Sequence, residues 1–330
     1  MGERASDTLV TAAQEGDRRA LARLLTAVEN RTPVAEAALR TLYPMAGRAH
    51  LVGITGPPGA GKSTLVAALI AAHRAGGKSV AVIAVDPSSP ITGGALLGDR
   101  VRMQAHAGDR DVFIRSMAAR GHAGGLASTS TAAASVLDAC GFDIVLIETV
   151  GTGQSEVEVA AAADTTVVLE APEMGDEVQA IKAGLLEVAD LVVVNKGDRP
   201  GAQRTAAQLR AMLIAIPKVG RGRSDRPRPK SPEVLLTTAT TGAGIPELIA
   251  AIERHRVAAR GTDDAVTDAR LVRARTQVWA IVGERLQDRL DAGTAGPETA
   301  AILRAVATHE LDPYTAADRL LESATAIERA

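Results

Sequence analysis

Cysteine is almost absent from this chain: Cys140 is the single one in 330 residues. A disulfide within the chain is therefore impossible, and a zinc site built on several thiolates is excluded. Cys140 itself reads as a small buried hydrophobe. Aromatic residues are nearly as scarce, at 2%, so the core must be drawn from the Ala, Val, Leu and Ile that dominate a 46% apolar composition. Neither sign of charge prevails. Lys and Arg number 37 against 39 Asp and Glu, a net charge of −2, which leaves no global positive field to hold nucleic acid by counterion release. No nucleic-acid partner is expected. Residues 1–17 mix acidic and basic groups and contain no apolar core of a signal peptide. No apolar run approaches the ~20 residues of a membrane-crossing helix. The expectation is a cytoplasmic protein with no membrane partner. Internal repeats are lacking too.

What is present is a phosphate-cradling loop, Gly56-Pro57-Pro58-Gly59-Ala60-Gly61-Lys62-Ser63-Thr64, of the pattern G-x-x-x-x-G-K-[ST]. It follows a short apolar run, 51–55, and opens a helix-like run, 65–72, the strand–loop–helix setting the motif requires. Glycines there let backbone N–H groups turn toward phosphate oxygens. Lys62 would reach the β- and γ-phosphates, and the Ser63 hydroxyl would ligate Mg²⁺. The helix N-terminus adds partial positive charge at the same point.

The flanking sequence predicts the scaffold. Strand-like runs fall at 51–55, 79–85, 112–115, 143–148, 165–170, 190–194 and 233–237, several of them continuous in Val and Ile, as strands buried on both faces of a parallel sheet are. Ala-rich helical runs lie between them. The rhythm predicts an α/β domain with a mostly parallel, doubly wound sheet over 47–260. Residues 1–46 read as a helical arm, with Leu21, Leu24, Leu25 and Val28 at helical spacing. Beyond 261 the strand pattern ceases. A long amphipathic helix is expected over 268–290, striped by Leu271, Val278, Ile281, Val282, Leu286 and Leu290, with two shorter helices starting near Pro297 and Pro313. This third part, 261–330, lacks an evident core of its own, and its stripe could pack on the α/β domain or on a second subunit; a homodimer is favoured. The segment 217–232 carries Lys218, Arg221, Arg223, Arg226, Arg228 and Lys230 among Gly, Ser and Pro and reads as a solvated surface insertion.

Further nucleotide-binding signals lie downstream. Asn195-Lys196-Gly197-Asp198 follows the apolar run 191–194 in the arrangement N-K-x-D. An aspartate there accepts hydrogen bonds from N1–H and the 2-amino group of guanine, a donor pair adenine does not offer. GTP and GDP are thus favoured over adenine nucleotides. Thr238-Ala239-Thr240 follows the next strand, where a backbone N–H meets guanine O6. Glu148-Thr149-Val150-Gly151 ends a strand in the arrangement of a switch. Glu148 can hold Mg²⁺ directly or through water, and the Gly151 N–H can sense a γ-phosphate. Two further acids, Asp86 and Asp99, precede it; for Asp99, metal or water positioning and a helix N-cap are equally good readings. Thr149 and Val150 cannot orient the attacking water as a glutamine would, and Gln154 lies outside the motif. This implies slow intrinsic hydrolysis accelerated by a partner or a dimer mate, with Lys182 and Arg100 as candidate cations.

Together these motifs resemble the methylmalonyl-CoA mutase-associated GTPases, the MeaB and MMAA group, some members of which carry the older name ArgK. The likeness covers nearly the whole chain. It runs through Gly16-Asp17-Arg18-Arg19-Ala20-Leu21-Ala22-Arg23, the phosphate loop, Val85-Asp86-Pro87-Ser88-Ser89-Pro90, Leu97-Gly98-Asp99-Arg100 and Glu148-Thr149-Val150-Gly151-Thr152-Gly153-Gln154-Ser155-Glu156. The resemblance implies a P-loop G domain with helical extensions at both ends, a homodimer formed through the C-terminal arm, and GTP hydrolysis with Mg²⁺. It also implies a chaperone role toward an adenosylcobalamin-dependent methylmalonyl-CoA mutase: gating cofactor loading and protecting or reactivating the mutase. By the same resemblance Ser63, Asp86, Asp99 and Glu148 form the metal shell. Lys62 holds phosphate, and the segment 173–182 is a further switch whose working residues are Asp176 and Lys182. Departures from the family pattern are Gly197 for Ala, Thr238 for Ser, Thr152 for Val, and the length of the basic insertion. No cobalamin-binding D-x-H-x-x-G pattern is present, so that cofactor should sit on the partner. A nickel-inserting metallochaperone is less consistent with six dispersed histidines, His50, His73, His106, His122, His255 and His309. A protein kinase using ATP is opposed by Asp198, and a purely structural scaffold by the complete nucleotide site.

Overall fold

The computed structural model describes residues 2–87, 106, 108–119, 125–149, 159–172, 185–215, 232–260, 263–294 and 297–326. All seven predicted strand runs form strands: β1 His50–Thr55, β2 Val80–Pro87, β3 Val112–Ala119, β4 Ile144–Thr149, β5 Thr165–Glu170, β6 Leu191–Val194 and β7 Glu233–Leu236. They make one sheet in the order β3-β2-β4-β1-β5-β6-β7, with every neighbouring pair parallel. Alternate residues of each strand feed different cores. Val80 and Val82 join one cluster with Val52, Ile54, Leu65 and Leu69, whereas Ala81, Ile83 and Val85 join another on the opposite face. Both faces are covered, which is why several of the strands read as continuous apolar runs. β1 lies at the centre of the sheet, and ligands of such sheets bind in the crevice at the carboxyl ends of the central strands.

The helices that cover one face include α4 (Lys62–Ala75) and α7 (Ile245–Arg260). The other face carries α1 (Gly2–Gln14), α2 (Arg18–Glu29), α3 (Pro33–Leu42) and α5 (Gly125–Ala139), and α6 (Ala202–Ala215) packs beside β6 and β7. The N-terminal helices have clear start signals. The Asp17 carboxylate accepts from the N–H groups of Arg19 and Ala20, and Thr32 caps α3 with Pro33 in its first turn. The predicted stripe Leu21, Leu24, Leu25 and Val28 is buried, in one cluster with residues of β2, β3 and α5. Glu29 pins α2 to the edge strand β3: it accepts from Arg115 at 2.6 Å and from the Ala118 N–H at 3.1 Å. Buried Asp138 of α5 accepts from the N–H groups of Gly47, Arg48 and Ala49, fixing the path from α3 into β1.

The chain divides into two compact units, residues 1–273 and 274–330. The boundary falls within α8 (Asp263–Thr294), the long helix expected over 268–290. The second unit continues with α9 (Pro297–Ala307) and α10 (Pro313–Ala326), the two helices expected at Pro297 and Pro313. Within it Val278, Trp279, Ile281 and Val282 are exposed.

Candidate functional site

The phosphate loop leaves β1 at Thr55 and enters α4 at Lys62. Two of its glycines are dictated by close approach. Gly56 has φ +140°, and a Cβ there would lie 2.1 Å from the Leu169 carbonyl oxygen; Gly61 has φ +96°, and its Cβ would lie 2.5 Å from Asn195 Nδ2. Gly61 is the N-cap of α4 in the left-handed conformation, so the positive end of the helix dipole lies at the loop. Ala60 is buried while Pro58 and Gly59 are exposed, and Thr64 is half-buried on the first turn of α4. The Lys62 ammonium, buried, donates to the carbonyls of Gly56 (2.7 Å) and Pro57 (3.0 Å). It thus lies over the loop where a phosphate chain would be held. The Ser63 hydroxyl donates to Glu148 Oε1 at 2.8 Å, with both residues buried. This side is an all-oxygen donor set, the chemistry that suits a hard cation such as Mg²⁺.

The base-side residues meet the loop through Asn195 at the end of β6. Its Nδ2 donates to the Ala60 carbonyl (3.0 Å), and its Oδ1 accepts from Thr237 Oγ1 (3.2 Å) and from the Ala239 N–H (3.1 Å). One buried amide therefore joins the phosphate loop, the N-K-x-D turn and the turn after β7. Lys196, at φ +57°, extends across to donate to the Gly59 carbonyl at 2.7 Å. The Gly197 N–H donates to the Thr237 carbonyl at 2.9 Å. A Cβ at Gly197 would stand 3.2 Å from that same oxygen and 3.3 Å from Thr238 Oγ1, a tight fit in which the turn after β7 would have to give by a few tenths of an ångström. Asp198 and Thr240 are exposed at the mouth of this assembly, while Thr238 and Ala239 are buried in its wall.

Ser63, Lys62, Glu148, Asn195, Lys196, Asp198 and the segment 238–240 are thus gathered at the carboxyl ends of β1, β4, β6 and β7. Asp86 stands near the end of β2, opposite Ala118 in register. Asp99, Arg100, Gly151, Asp176 and Lys182 lie outside the described residues, as does nearly all of the basic insertion. Among the described residues no group of three or more His, Cys, Asp or Glu is placed to hold a metal ion. Cys140 is half-buried against the core, and burial pushes its thiol up to about 11, which makes it a poor nucleophile. Sequence reasoning missed a pair behind the site. The hydroxyls of Thr55 and Thr149, both fully buried, are hydrogen-bonded at 3.1 Å. Two threonines that end neighbouring strands were the available signal.

Comparison with known proteins agrees with this geometry. The family model for the methylmalonyl-CoA mutase-associated GTPase MeaB matches residues 21–295. A Pyrococcus abyssi protein named as a GTPase is 46% identical over 318 residues, covering 96% of each chain. The mouse methylmalonic aciduria type A homolog, a mitochondrial protein, is 34% identical over 338 residues, covering 97% of this chain and 80% of its own. A crystal structure of a LAO/AO transport system kinase superposes with a TM-score of 0.68 at 28% identity, covering 98% of both chains.

Proposed function

The chain belongs to the methylmalonyl-CoA mutase-associated GTPase family, and from that premise we propose that its GTP hydrolysis serves an adenosylcobalamin-dependent methylmalonyl-CoA mutase, gating cofactor loading and protecting or reactivating that enzyme. The observation that carries the nucleotide half of this reading is the bracket at Asn195, which ties a phosphate loop to a guanine-type base turn. The family name carries the mutase half.

In this reading Lys62 leaves the Gly56 and Pro57 carbonyls to hold the β- and γ-phosphates. The first-turn N–H groups of α4 bind the remaining oxygens. Asp198 accepts the guanine N1–H and 2-amino hydrogens, and the Thr238-Ala239-Thr240 turn faces O6. Ser63 and Glu148, joined by Asp86 and Asp99, would hold Mg²⁺. The ion supplies positive charge to the phosphate oxygens as charge moves toward the leaving group. Water attacks the γ-phosphorus, the bond to the β–γ bridging oxygen breaks, and GDP and phosphate leave. Gly151 would report the γ-phosphate, and Asp176 and Lys182 the partner. Residues 1–46 serve as an N-terminal arm and 47–260 as the GTPase domain, in the cytoplasm. The arm 261–330 forms a homodimer through the exposed Val278, Trp279, Ile281 and Val282.

The test is complex formation between the full chain and a methylmalonyl-CoA mutase, followed by size-exclusion chromatography with light scattering. A complex whose abundance differs between GDP and a non-hydrolysable GTP analogue is expected. Absence of a complex with either nucleotide would remove the mutase from the account.

A further inference from the structure

β1 carries the phosphate loop on one face and a second set of contacts on the other. Ile54 points into the core beneath α4, and Glu148, its register partner on β4, reaches Ser63 on that side. Because side chains alternate along a strand, the next residues, Thr55 and Thr149, face the opposite side. There the Thr149 hydroxyl donates to Thr55 Oγ1 at 3.1 Å in full burial. Thr55 immediately precedes the first glycine of the phosphate loop. Thr149 immediately follows Glu148. The bond therefore ties the two strands beside Glu148 on one and beside the first glycine of the phosphate loop on the other.

The chain returns to the same strand after residue 158. A helical turn at 159–162 settles on Gly53, whose missing side chain is what admits it: a Cβ at Gly53 would lie 2.5 Å from Val159 Cγ1 and 2.9 Å from Ala163 Cβ. Asp164 then locks the return, its N–H donating to the Leu51 carbonyl at 2.7 Å and its carboxylate accepting the Leu51 N–H at 3.0 Å. Departure and return are thus both fastened to the back of β1, at Thr55 and at Gly53 with Leu51.

We propose that Thr149 is a positioning residue for GTP hydrolysis: through Thr55 it holds Glu148 where it meets Ser63, while the seat at Gly53 holds Val159 and Ala163 against the same strand that bears the phosphate loop. The proposal rests on the reading of this site as a GTPase centre. A purely structural bond in this position would affect stability alone. A positioning bond affects the hydrolytic step more than nucleotide binding, because GDP contacts the loop and the base turn, which Thr149 does not touch.

The experiment compares wild type, Thr149→Val, Thr149→Ser and Gly53→Ala in the full chain, reading kcat, KM for GTP, GDP affinity and the Mg²⁺ concentration for half-maximal rate. For Thr149→Val we expect kcat to fall about fivefold, the worth of one net hydrogen bond. The Mg²⁺ requirement should rise while GDP affinity stays unchanged. Thr149→Ser keeps the hydroxyl and should restore the wild-type rate, whereas Gly53→Ala, which displaces Val159, should lower kcat in the same sense. If Thr149→Val does not fold, Thr55→Val decides from the other end of the same bond. A folded Thr149→Val protein with wild-type kcat and Mg²⁺ dependence, differing only in melting temperature, overturns the proposal. So does parallel loss of GDP affinity and kcat. A wild-type chain that does not hydrolyse GTP would instead overturn the reading of the site, a result distinct from either.

Discussion

Ser63 and Glu148, 85 positions apart in the chain, meet at 2.8 Å in a buried hydrogen bond. One stands on the first turn of the helix after the phosphate loop, the other near the end of β4, and the register of β4 on β1 brings them together. The pairing of a hydroxyl with a carboxylate away from solvent gives this side of the site its character. Both groups present oxygen, the ligand atom that a hard cation such as Mg²⁺ takes.

For Glu148→Gln we expect the Mg²⁺ dependence of hydrolysis to shift to higher concentration and kcat to fall by about 10–100-fold, the range for loss of one charge-assisted interaction. Nucleotide binding without Mg²⁺ should change little. Steady-state GTPase assays across a Mg²⁺ titration check this.

Asn195→Ala should damage both halves of the site together. It strands the Ala60 carbonyl and the Ala239 N–H in the interior, a loss of about 2–3 kcal/mol. Urea denaturation should show that loss, and equilibrium titration should show weaker binding of GTP and GDP alike.

Asp198→Asn acts on the base alone. The exposed carboxylate contributes little to the fold, so stability should be unchanged. Affinity for GTP should fall by about 10–100-fold with loss of the charged acceptor pair. Because Asn presents one acceptor oxygen and one amide donor, affinity for xanthosine triphosphate should rise relative to GTP. Calorimetric titration with both nucleotides separates the two effects, and unchanged GTP affinity would refute the assignment of Asp198.

His73, on α4 away from the nucleotide, sets an acid limit to stability. Burial lowers its pKa below the usual 6.5, and its Nε2 has no hydrogen-bond partner among the described residues. The unfolded chain therefore binds a proton that the folded chain refuses. Stability is fully present above pH 6.5 and declines as pH falls from there toward the lower folded-state value. Thermal melts between pH 7.5 and 5 should show this decline, and His73→Leu should flatten it without altering GTP affinity.

Much of the fold and of the nucleotide site is legible in the amino-acid sequence alone. Strands such as 144–149 and 191–194 announce themselves because both faces are buried and their apolar residues run on without alternation, so the strand-like runs differ from the strands of the sheet by only a few residues at their ends. The phosphate loop and the N-K-x-D turn are local patterns, and local patterns survive in one dimension. Pairing across long stretches of chain is not legible in this way. Nothing in the sequence says that Asn195 reaches Ala60, 135 positions away, or that Glu29 caps the Ala118 N–H on an edge strand. The same holds for Gly53, which reads as an ordinary small residue within a strand until Val159 is seen lying against it. The apolar stripe of α2 announces a buried face without naming its partner, which proves to be the side of the sheet shared with β2, β3 and α5.

The most direct test of the whole account is the rate of GTP hydrolysis by the full chain, measured with and without an adenosylcobalamin-dependent methylmalonyl-CoA mutase, with ATP run in parallel. The account predicts slow hydrolysis of GTP alone, a marked acceleration when the mutase is added, and no comparable turnover of ATP. Equal consumption of ATP would contradict the role of the Asp198 turn, and a GTPase rate indifferent to the mutase would contradict the partnership.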